Sequence, residues 1–427
     1  MKLAFLTLGC KANQCDTQSM QALARERGHV ICENAPDALI INTCTVTGEA
    51  DRKCRQTIRR ARRENPSVLL CVGGCLAQIN PDAVTELGAD VIGGSGSRVE
   101  FLDAIERAYS ERSTPLNCQK KHVFGERFEF LPGGGLEGRT RALLKVEDGC
   151  DNYCTYCIIP YSRGHVRSMP LEDAEREVRR LAEEGFSECV ITGIEISSYG
   201  RDLPGTPDLV TLTERLCKAA GNMRIHLGSL EPRTVDKRFC ETLSVFDNLC
   251  PHFHPALQSG CDATLSRMKR KYTTARFLET LELLRRYFPG CYLTTDLITG
   301  FPGETEEEFA ETLDFLKKAA FGKAHIFPYS ERRGTPAASM QQIPKAVRAE
   351  RAHIAAGIAS ETAAEYLNAQ VGKTLEVLFE DSDGEHWRGH AKNYVEVSAK
   401  SDENLHNRIL PVRITGVAEE GLCGVIE

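Results

Sequence analysis

The chain has 427 residues, of which 41% are hydrophobic and 26% charged, and its formal net charge is −7. This composition is typical of folded globular domains, and no apolar run approaches the roughly 20 residues that a membrane-spanning helix needs. The negative charge excludes a protein that is basic throughout, so a nucleic-acid site would have to be a local basic patch. Because the first residues lack a signal-peptide pattern, we expect a cytoplasmic protein without a membrane partner.

The N-terminal part alternates between strand and helix patterns. Candidate strands are Leu3–Leu8, Asp37–Ile41, Ser67–Val72 and Asp90–Ile92. Helices are predicted at Thr17–Arg27, which Gly28 ends, and at Arg98–Tyr109. Strands that alternate with helices indicate a parallel sheet, so we expect an open parallel α/β domain over residues 1–115.

A polar, Pro- and Gly-containing segment, residues 110–138, leads into a second α/β series. Its six candidate strands are Ala142–Glu147, Cys189–Gly193, Arg224–Ser229, His252–Gln258, Tyr292–Ile298 and Ala324–Tyr329. Helical stretches such as Thr305–Ala319 separate them. We therefore predict a partial (β/α)6 barrel over residues 136–368, with its chemistry at the C-terminal ends of the strands.

The last part of the chain changes to an alternation of apolar and polar residues. It follows a long Ala-rich helix predicted at 345–369, and the alternation is visible in Leu375, Val377 and Phe379. A period of two residues indicates short strands, so we expect a small β-barrel of about five strands over residues 369–427.

Cysteine is unusually frequent, with 18 residues. In a reducing compartment these are thiols, which favours metal or redox chemistry over disulfides. Cys150, Cys154 and Cys157, here called the barrel trio, form a C-x3-C-x2-C motif in a loop after a predicted strand. Three thiolates suit an iron–sulfur cubane with one open iron, whereas a structural zinc site would need a fourth ligand nearby. Zinc and incidental burial are the weaker alternatives.

A second set of cysteines is dispersed along the sequence. Cys10, Cys44 and Cys75, here called the N-terminal trio, each follow a different predicted strand. The C-terminal ends of parallel strands meet at one crevice, so we predict a second three-thiolate site there.

About twelve other cysteines are expected to be small buried hydrophobes, among them Cys32 and Cys71. Spacing alone does not decide whether Cys15 and Cys54, which lie close to the N-terminal trio in sequence, belong to the site.

These motifs resemble those of the radical S-adenosylmethionine (SAM) methylthiotransferases. The barrel trio is similar to the radical SAM signature. Three segments, residues 8–14, 42–47 and 74–78, resemble the N-terminal domain of the family. The family's barrel resembles residues 257–260, 295–296 and 300–305. The terminal domain, with Lys392-Asn393-Tyr394, is similar to the TRAM module, a small RNA-binding barrel. The match runs in order along nearly the whole chain.

The chain resembles most the branch that modifies N6-threonylcarbamoyladenosine in tRNA. That resemblance implies transfer of a methylthio group to C2 of this base at position 37, next to the anticodon. Sister branches act on isopentenyladenosine in tRNA or on an aspartate of a ribosomal protein, and they remain alternatives. A non-catalytic iron–sulfur protein that binds RNA or carries electrons is the alternative of another class.

The resemblance implies two 4Fe–4S clusters and SAM as cofactors. The barrel trio would hold the cluster that binds SAM, and the N-terminal trio would hold an auxiliary cluster. A radical route fits the substrate, because the C2–H of adenine offers no leaving group. The implied partners are tRNA, a flavodoxin- or ferredoxin-type electron donor and a sulfur donor.

Six further residues are candidates for contacts with SAM or the substrate, since they lie beside the barrel trio or near predicted strand ends. They are Tyr156, Gly193, Glu195, Glu231, Gln258 and Asp296. Core packing competes with this role for Tyr156, a bulge for Gly193, loop capping for Gln258 and plain solvent exposure for the acids.

Two basic clusters are candidate RNA contacts, because Lys and Arg side chains that neutralise phosphates dominate such binding. The first follows Cys44 and comprises Arg52, Lys53, Arg55, Arg59, Arg60, Arg62 and Arg63; the second comprises Arg267, Lys269, Arg270 and Lys271. A solvated surface is the competing interpretation. From Val371 onward the chain has 6 basic and 11 acidic residues, which argues against phosphate binding by the terminal domain.

Overall fold

We analysed a computed structural model, which describes residues 1–112, 114–131, 140–419 and 421–427. The N-terminal strands are β1 (Lys2–Thr7), β2 (Val30–Ile31), β3 (Ala38–Thr43), β4 (Leu69–Gly74), β5 (Val91–Ile92) and β6 (Leu116–Asn117). They form one sheet in the order β2-β1-β3-β4-β5-β6, and all its pairs are parallel. The helices are α1 (Lys11–Glu26), α2 (Gly48–Glu64), α3 (Cys75–Ile79), α4 (Pro81–Glu86) and α5 (Arg98–Glu111). The predicted open parallel α/β fold is confirmed.

Helix α1 begins at Lys11, earlier than the predicted start at Thr17. Its first turns bury polar residues, including Asn13 and Asp16, against the rest of the molecule. Hydrophobic periodicity does not reveal such burial, because these side chains are stabilised by specific polar partners rather than by an apolar face.

The second part contains β7 (Arg141–Lys145), β8 (Glu147–Asp148), β9 (Arg167–Ser168), β10 (Glu188–Thr192), β11 (Arg224–Leu227), β12 (Ser229–Leu230), β13 (His252–Pro255), β14 (Tyr292–Thr299) and β15 (Lys323–Pro328). Its helices are α6 (Ile159–Arg163), α7 (Leu171–Glu183), α8 (Leu209–Ala219), α9 (Lys237–Leu243), α10 (Asp262–Arg267), α11 (Thr274–Tyr287) and α12 (Glu306–Ala319). Parallel sheets β11-β10-β7 and β12-β13-β14-β15 form the curved wall of a partial barrel. The six predicted strands are all present, with the short β8, β9 and β12 in addition.

A long helix, α13 (Lys345–Asn368), connects this wall to the C-terminal part. The strands there are β16 (Thr374–Ser382), β17 (His386–Ala391), β18 (Glu396–Lys400), β19 (Ile409–Val417) and β20 (Leu422–Ile426). They close into a barrel in the order β16-β17-β18-β20-β19, as the alternating pattern predicted. Among the residues described, no helix combines the length and apolar character required to cross a membrane.

Polar contacts join the three parts around the open side of the partial barrel. Arg332 donates to the Thr45 hydroxyl at 2.5 Å and pairs with Asp51 at 3.1 Å, which ties the segment after β15 to the N-terminal sheet. Arg141 of β7 pairs with Glu380 of the terminal barrel at 2.6 Å. The cysteine-bearing strand ends of the N-terminal sheet are thereby held against the barrel.

Candidate active site

The N-terminal trio lies at the C-terminal edge of the parallel sheet. β1 is followed by Cys10, β3 ends one residue before Cys44, and β4 leads directly into Cys75. The pKa of the Cys44 thiol is raised to about 11, chiefly by burial, and the nearby Cys75 and Cys10 thiols act in the same direction. The three cysteines thus lie at the same edge of the sheet, because β1, β3 and β4 are adjacent and parallel.

Two glycines allow these loops to approach each other. A Cβ on Gly9, whose φ is +131°, would lie 2.9 Å from the Cβ of Cys44. A Cβ on Gly74, whose φ is +88°, would lie 2.4 Å from Oδ1 of Asn42. Any larger residue at either position would push the cysteine-bearing loops apart.

A buried amide scaffold fixes the same loops. The Asn13 amide donates to Oδ1 of Asn42 at 2.9 Å and to the Thr43 carbonyl at 3.1 Å. The Cys10 thiol donates to Oδ1 of Asn13 at 3.2 Å. The first turn of α1 therefore connects the loop after β1 to the loop after β3.

Cys15 and Cys54, whose membership of the N-terminal site the sequence left open, have different roles in the structure. Cys15 packs between Leu143 and Val190 of the barrel wall, so it belongs to the contact between the two parts. Cys54 lies on α2, where its sulfur accepts from the Cys44 N–H at 3.4 Å and its thiol donates to the Cys44 carbonyl at 3.3 Å. Cys54 therefore supports the backbone of Cys44.

The barrel trio lies in the loop between β8 and α6. The Cys150 N–H donates to the Gly164 carbonyl at 3.0 Å, and the Thr155 N–H donates to the Met268 carbonyl at 3.1 Å. The guanidinium of Arg270 contacts the Cys154 sulfur at 3.3 Å. Burial raises the pKa of Cys157 to about 12, which the neighbouring Cys154 also raises and Arg270 opposes.

Glu147, at the start of β8, was not identified from the sequence. It is fully buried, and its Oε2 accepts from the N–H groups of Ile194 and Glu195 at 2.9 and 2.7 Å. Its other carboxyl oxygen, Oε1, has no hydrogen-bond partner within the described part of the chain. Burial raises the pKa of this carboxyl group well above its usual range. Its position three residues before Cys150 was the only available signal.

Gly193 and Glu195 are explained by this same contact. A Cβ on Gly193 would lie 2.8 Å from Oε2 of Glu147, so the glycine is required by that carboxyl group. Glu195 is half-buried and accepts from the Ser197 N–H at 3.1 Å and from the Asn152 amide at 3.4 Å. The solvent-exposed role considered for Glu195 is wrong, because its carboxyl group braces the loop of the barrel trio.

The other candidates differ in their surroundings. Tyr156 packs in an apolar cluster with Met268, Phe301 and Tyr329, which supports the core role that competed with SAM contact. Gln258, at a φ of +64°, follows β13 in the chain and pairs with Asp296 and Ile298 of β14 through its backbone. Glu231 is 8% exposed and pairs with Arg270 at 2.8 Å.

Asp296 lines a cavity of about 1080 Å³ on the open side of the barrel. Lys11, next to Cys10, borders one part of this cavity, and Ser229, two residues before Glu231, borders another. Two further lining residues, Tyr394 of the terminal barrel and His252 of β13, stack with ring centroids 4.8 Å apart. The cavity is thus bordered by the start of α1, by strands of the barrel wall and by the terminal part of the chain, and the described residues that line it include no cysteine of either trio.

The two basic clusters differ in how many of their side chains are exposed. Five of the seven cations of the first cluster are exposed on α2, whereas Arg55 and Arg62 are half-buried and pair with Asp51 and Asp90. In the second cluster Lys269 and Lys271 are exposed. The RNA contact expected of Arg270 is wrong, because its guanidinium is buried against Cys154 and Glu231.

Across residues 1–112, 114–131, 140–419 and 421–427, no group of three or more His, Cys, Asp or Glu side chains is arranged to hold a single metal ion. The ligand roles of the two trios therefore stay predictions.

Comparisons with known proteins match this organisation. A model of the radical SAM superfamily matches residues 144–316, and a model of the uncharacterized protein family UPF0004 matches residues 2–94. The threonylcarbamoyladenosine tRNA methylthiotransferase MtaB of Bacillus subtilis (strain 168) is 38% identical over 96% of this chain and 93% of its own length. The protein of the same name from Aquifex aeolicus (strain VF5) is 37% identical over 93% of this chain and 96% of its own.

A tRNA-2-methylthio-N(6)-dimethylallyladenosine synthase of Pelotomaculum thermopropionicum is 32% identical over the whole chain and 97% of its own length. Among solved structures, the radical SAM methyltransferase TsrM of Kitasatospora setae aligns with a TM-score of 0.55 at 15% identity, over 79% of this chain and 77% of its own. That likeness concerns the fold alone. The full-length relatives show that this chain belongs to the methylthiotransferase family of the radical SAM superfamily.

Proposed function

We propose that the chain is a tRNA methylthiotransferase that adds a methylthio group to C2 of N6-threonylcarbamoyladenosine at position 37. The single observation that carries this proposal is the pair of cysteine trios that residues 163–164 contact together, in a chain that matches the Bacillus subtilis protein over nearly its full length. Transfer to the isopentenyl nucleoside or to a ribosomal protein stays the alternative.

The residues present fit the cofactors that such a reaction needs. The barrel trio would hold the 4Fe–4S cluster that binds SAM, and the N-terminal trio would hold a second 4Fe–4S cluster that carries the sulfur. Both trios consist of thiols only, which are the ligands that iron–sulfur clusters prefer. Three residues before Cys150, the buried Glu147 leaves its Oε1 without a partner in the described part of the chain. When bound, SAM and its cluster would supply the radical that activates the C2–H bond.

The protein's own residues hold the loops of the two trios. Glu147, Glu195 and Asn152 fix the loop of the barrel trio, and Asn13 and Cys54 fix the loops of the N-terminal trio. Glu231 and Asp296 are proposed contacts for SAM or substrate hydroxyl groups. Gln258 and Tyr156 are proposed to shape the SAM site through the backbone and through packing, respectively.

For tRNA we propose phosphate contacts by the exposed cations of α2, namely Arg52, Lys53, Arg59, Arg60 and Arg63, with Lys269 and Lys271 on the barrel. Side chains of α2 and Arg332 and Arg333 line a groove of about 840 Å³ that would accept a nucleic-acid backbone. A flavodoxin- or ferredoxin-type electron donor and a sulfur donor complete the proposed partners.

The test is complementation of a Bacillus subtilis strain that lacks its own MtaB, followed by mass analysis of tRNA nucleosides. We expect the wild-type chain to restore the methylthio adduct of threonylcarbamoyladenosine, and Cys44→Ala not to restore it. An adduct on isopentenyladenosine only, in a strain that also lacks the enzyme for that base, would favour the sister branch. No adduct, and no 5′-deoxyadenosine release from the reconstituted protein, would favour a non-catalytic iron–sulfur protein.

A further inference from the structure

Arg163 is a fully buried cation that links the two cysteine trios. It is the last residue of α6, the helix that follows the loop of the barrel trio, and its exposed fraction is 0%. Its Nε donates to the Cys75 sulfur at 3.3 Å. The next residue, Gly164, accepts from the Cys150 N–H at 3.0 Å. One turn of chain thus contacts a cysteine of each trio.

The guanidinium is held in place by two buried carboxylates. Its Nη1 donates to Asp16 at 2.7 Å and to Asp148 at 3.3 Å. Asp16 comes from α1 and Asp148 from β8, so the fork is clamped from both sides of the contact between the N-terminal sheet and the barrel. Arginine suits this place because its planar, permanently charged fork serves several acceptors at once.

Arg163 belongs to a network of four cations and four carboxylates. Arg163 and Lys145 share the buried Asp16 and Asp148. Arg98 and Arg167 pair with the partly exposed Glu129 and Glu126. The network fixes the position of the guanidinium, and the contact of its Nε with the Cys75 sulfur comes in addition to these ion pairs.

The same guanidinium has an unused donor. Nη2 of Arg163 is buried and has no hydrogen-bond partner within the described residues, although Nε and Nη1 are both engaged. A buried guanidinium with an N–H to spare indicates an acceptor that is present in the functional protein.

We infer that Arg163 is the positioning residue of the auxiliary cluster, donating to the Cys75 thiolate and raising the reduction potential of that cluster. This inference rests on the proposed function, since it needs a cluster on the N-terminal trio. Hydrogen bonds to ligand sulfurs and nearby positive charge stabilise the reduced, more negative cluster, so both raise its potential.

Arg270 supplies a matched comparison. It contacts the Cys154 sulfur of the barrel trio at the same distance, 3.3 Å, and its charge is paired with Glu231. If each arginine acts on its own trio, the two residues change the potentials of different clusters.

The experiment is a redox titration, followed by electron paramagnetic resonance, of the reconstituted full chain without substrate. We expect the potential of the auxiliary cluster to fall in the order wild type, Arg163→Lys, Arg163→Met, with that of the other cluster unchanged. Arg270→Met should leave the auxiliary potential unchanged. Arg167→Met, in the same buried network but without a sulfur contact, should lower the auxiliary potential less than Arg163→Met does.

An auxiliary potential that is equal in the wild type and Arg163→Lys, with both clusters loaded, would overturn the inference. If Arg163→Met fails to fold or to bind its clusters, the comparison of the wild type with Arg163→Lys is sufficient, because lysine keeps the positive charge but lacks the planar guanidinium. A wild-type chain that binds no auxiliary cluster would instead contradict the proposed function, so the two failures are distinguishable by iron content.

Discussion

The barrel trio comes from one short loop, whereas the N-terminal trio is assembled from the ends of three separate strands. In the barrel, the spacing of three cysteines is set within residues 150–157, and the surrounding side chains only brace that loop. In the N-terminal sheet, the parallel order of β1, β3 and β4 brings Cys10, Cys44 and Cys75 to one edge, and side chains such as Asn13 then connect their loops. A contiguous site therefore depends on local sequence, and a dispersed site depends on the topology that presents it.

The largest expected effect is loss of activity in cysteine variants, and it distinguishes the reaction step that each trio supports. Cys154→Ala and Cys44→Ala should both abolish methylthio transfer to tRNA. Only Cys154→Ala should also abolish 5′-deoxyadenosine release, because the barrel trio alone is proposed to bind SAM. Chromatography of SAM products and of tRNA nucleosides measures both. Equal loss of 5′-deoxyadenosine release in the two variants would contradict the claim that only the barrel trio binds SAM.

A smaller effect, on stability and iron content, tests whether the N-terminal trio depends on the residues that support its loops. Cys54→Ala leaves the buried Cys44 N–H without its acceptor, so we expect the free energy of unfolding of the apo-protein to fall by about 1–3 kcal/mol. Iron bound at the N-terminal trio should fall too, and iron at the barrel trio should not. Denaturant unfolding and iron analysis measure these changes.

The control for that variant is Cys71→Ala, which removes a fully buried thiol from β4 away from the trio. It should cost about 1 kcal/mol, a typical value for a single substitution, and leave both clusters intact. Loss of the auxiliary cluster in both variants would mean that its occupancy follows general stability rather than the contact with Cys44.

The smallest effect concerns RNA binding by the two regions. Arg52→Glu with Arg59→Glu on α2 should weaken binding of an anticodon stem-loop and reduce the salt slope by about 0.7–0.9 for each phosphate that is no longer neutralised. Lys269→Glu with Lys271→Glu on the barrel should have a smaller effect, because Arg270 between them is turned inward. Binding measured across a salt titration distinguishes them. Equal slopes for wild type and the α2 variant would contradict a phosphate role for that helix.

Much of this organisation could be predicted because it leaves local signals. The alternation of strand and helix predicted the parallel sheets, and the period of two predicted the closed terminal barrel. The position of each cysteine after a strand predicted that the N-terminal trio would converge. The structure places the three cysteines after β1, β3 and β4 at the same edge of the parallel sheet.

Other features could not be predicted, because they depend on polar groups buried by contacts distant in sequence. Arg163 and Glu147 look like ordinary charged residues until the fold places their partners around them. Arg270 looked like part of a surface cluster for the same reason. Cys54 could not be separated from the trio by spacing, since its role is a backbone contact across a loop.

The most direct test of the central claim is a count of clusters in the reconstituted chain by iron and sulfide analysis with Mössbauer spectroscopy. We predict two 4Fe–4S clusters in the wild type and one in each triple variant, with either Cys10, Cys44 and Cys75 or Cys150, Cys154 and Cys157 changed to Ala. The remaining cluster should bind SAM only when the barrel trio is intact. A wild type with a single cluster, or a triple variant that keeps both, would contradict the account.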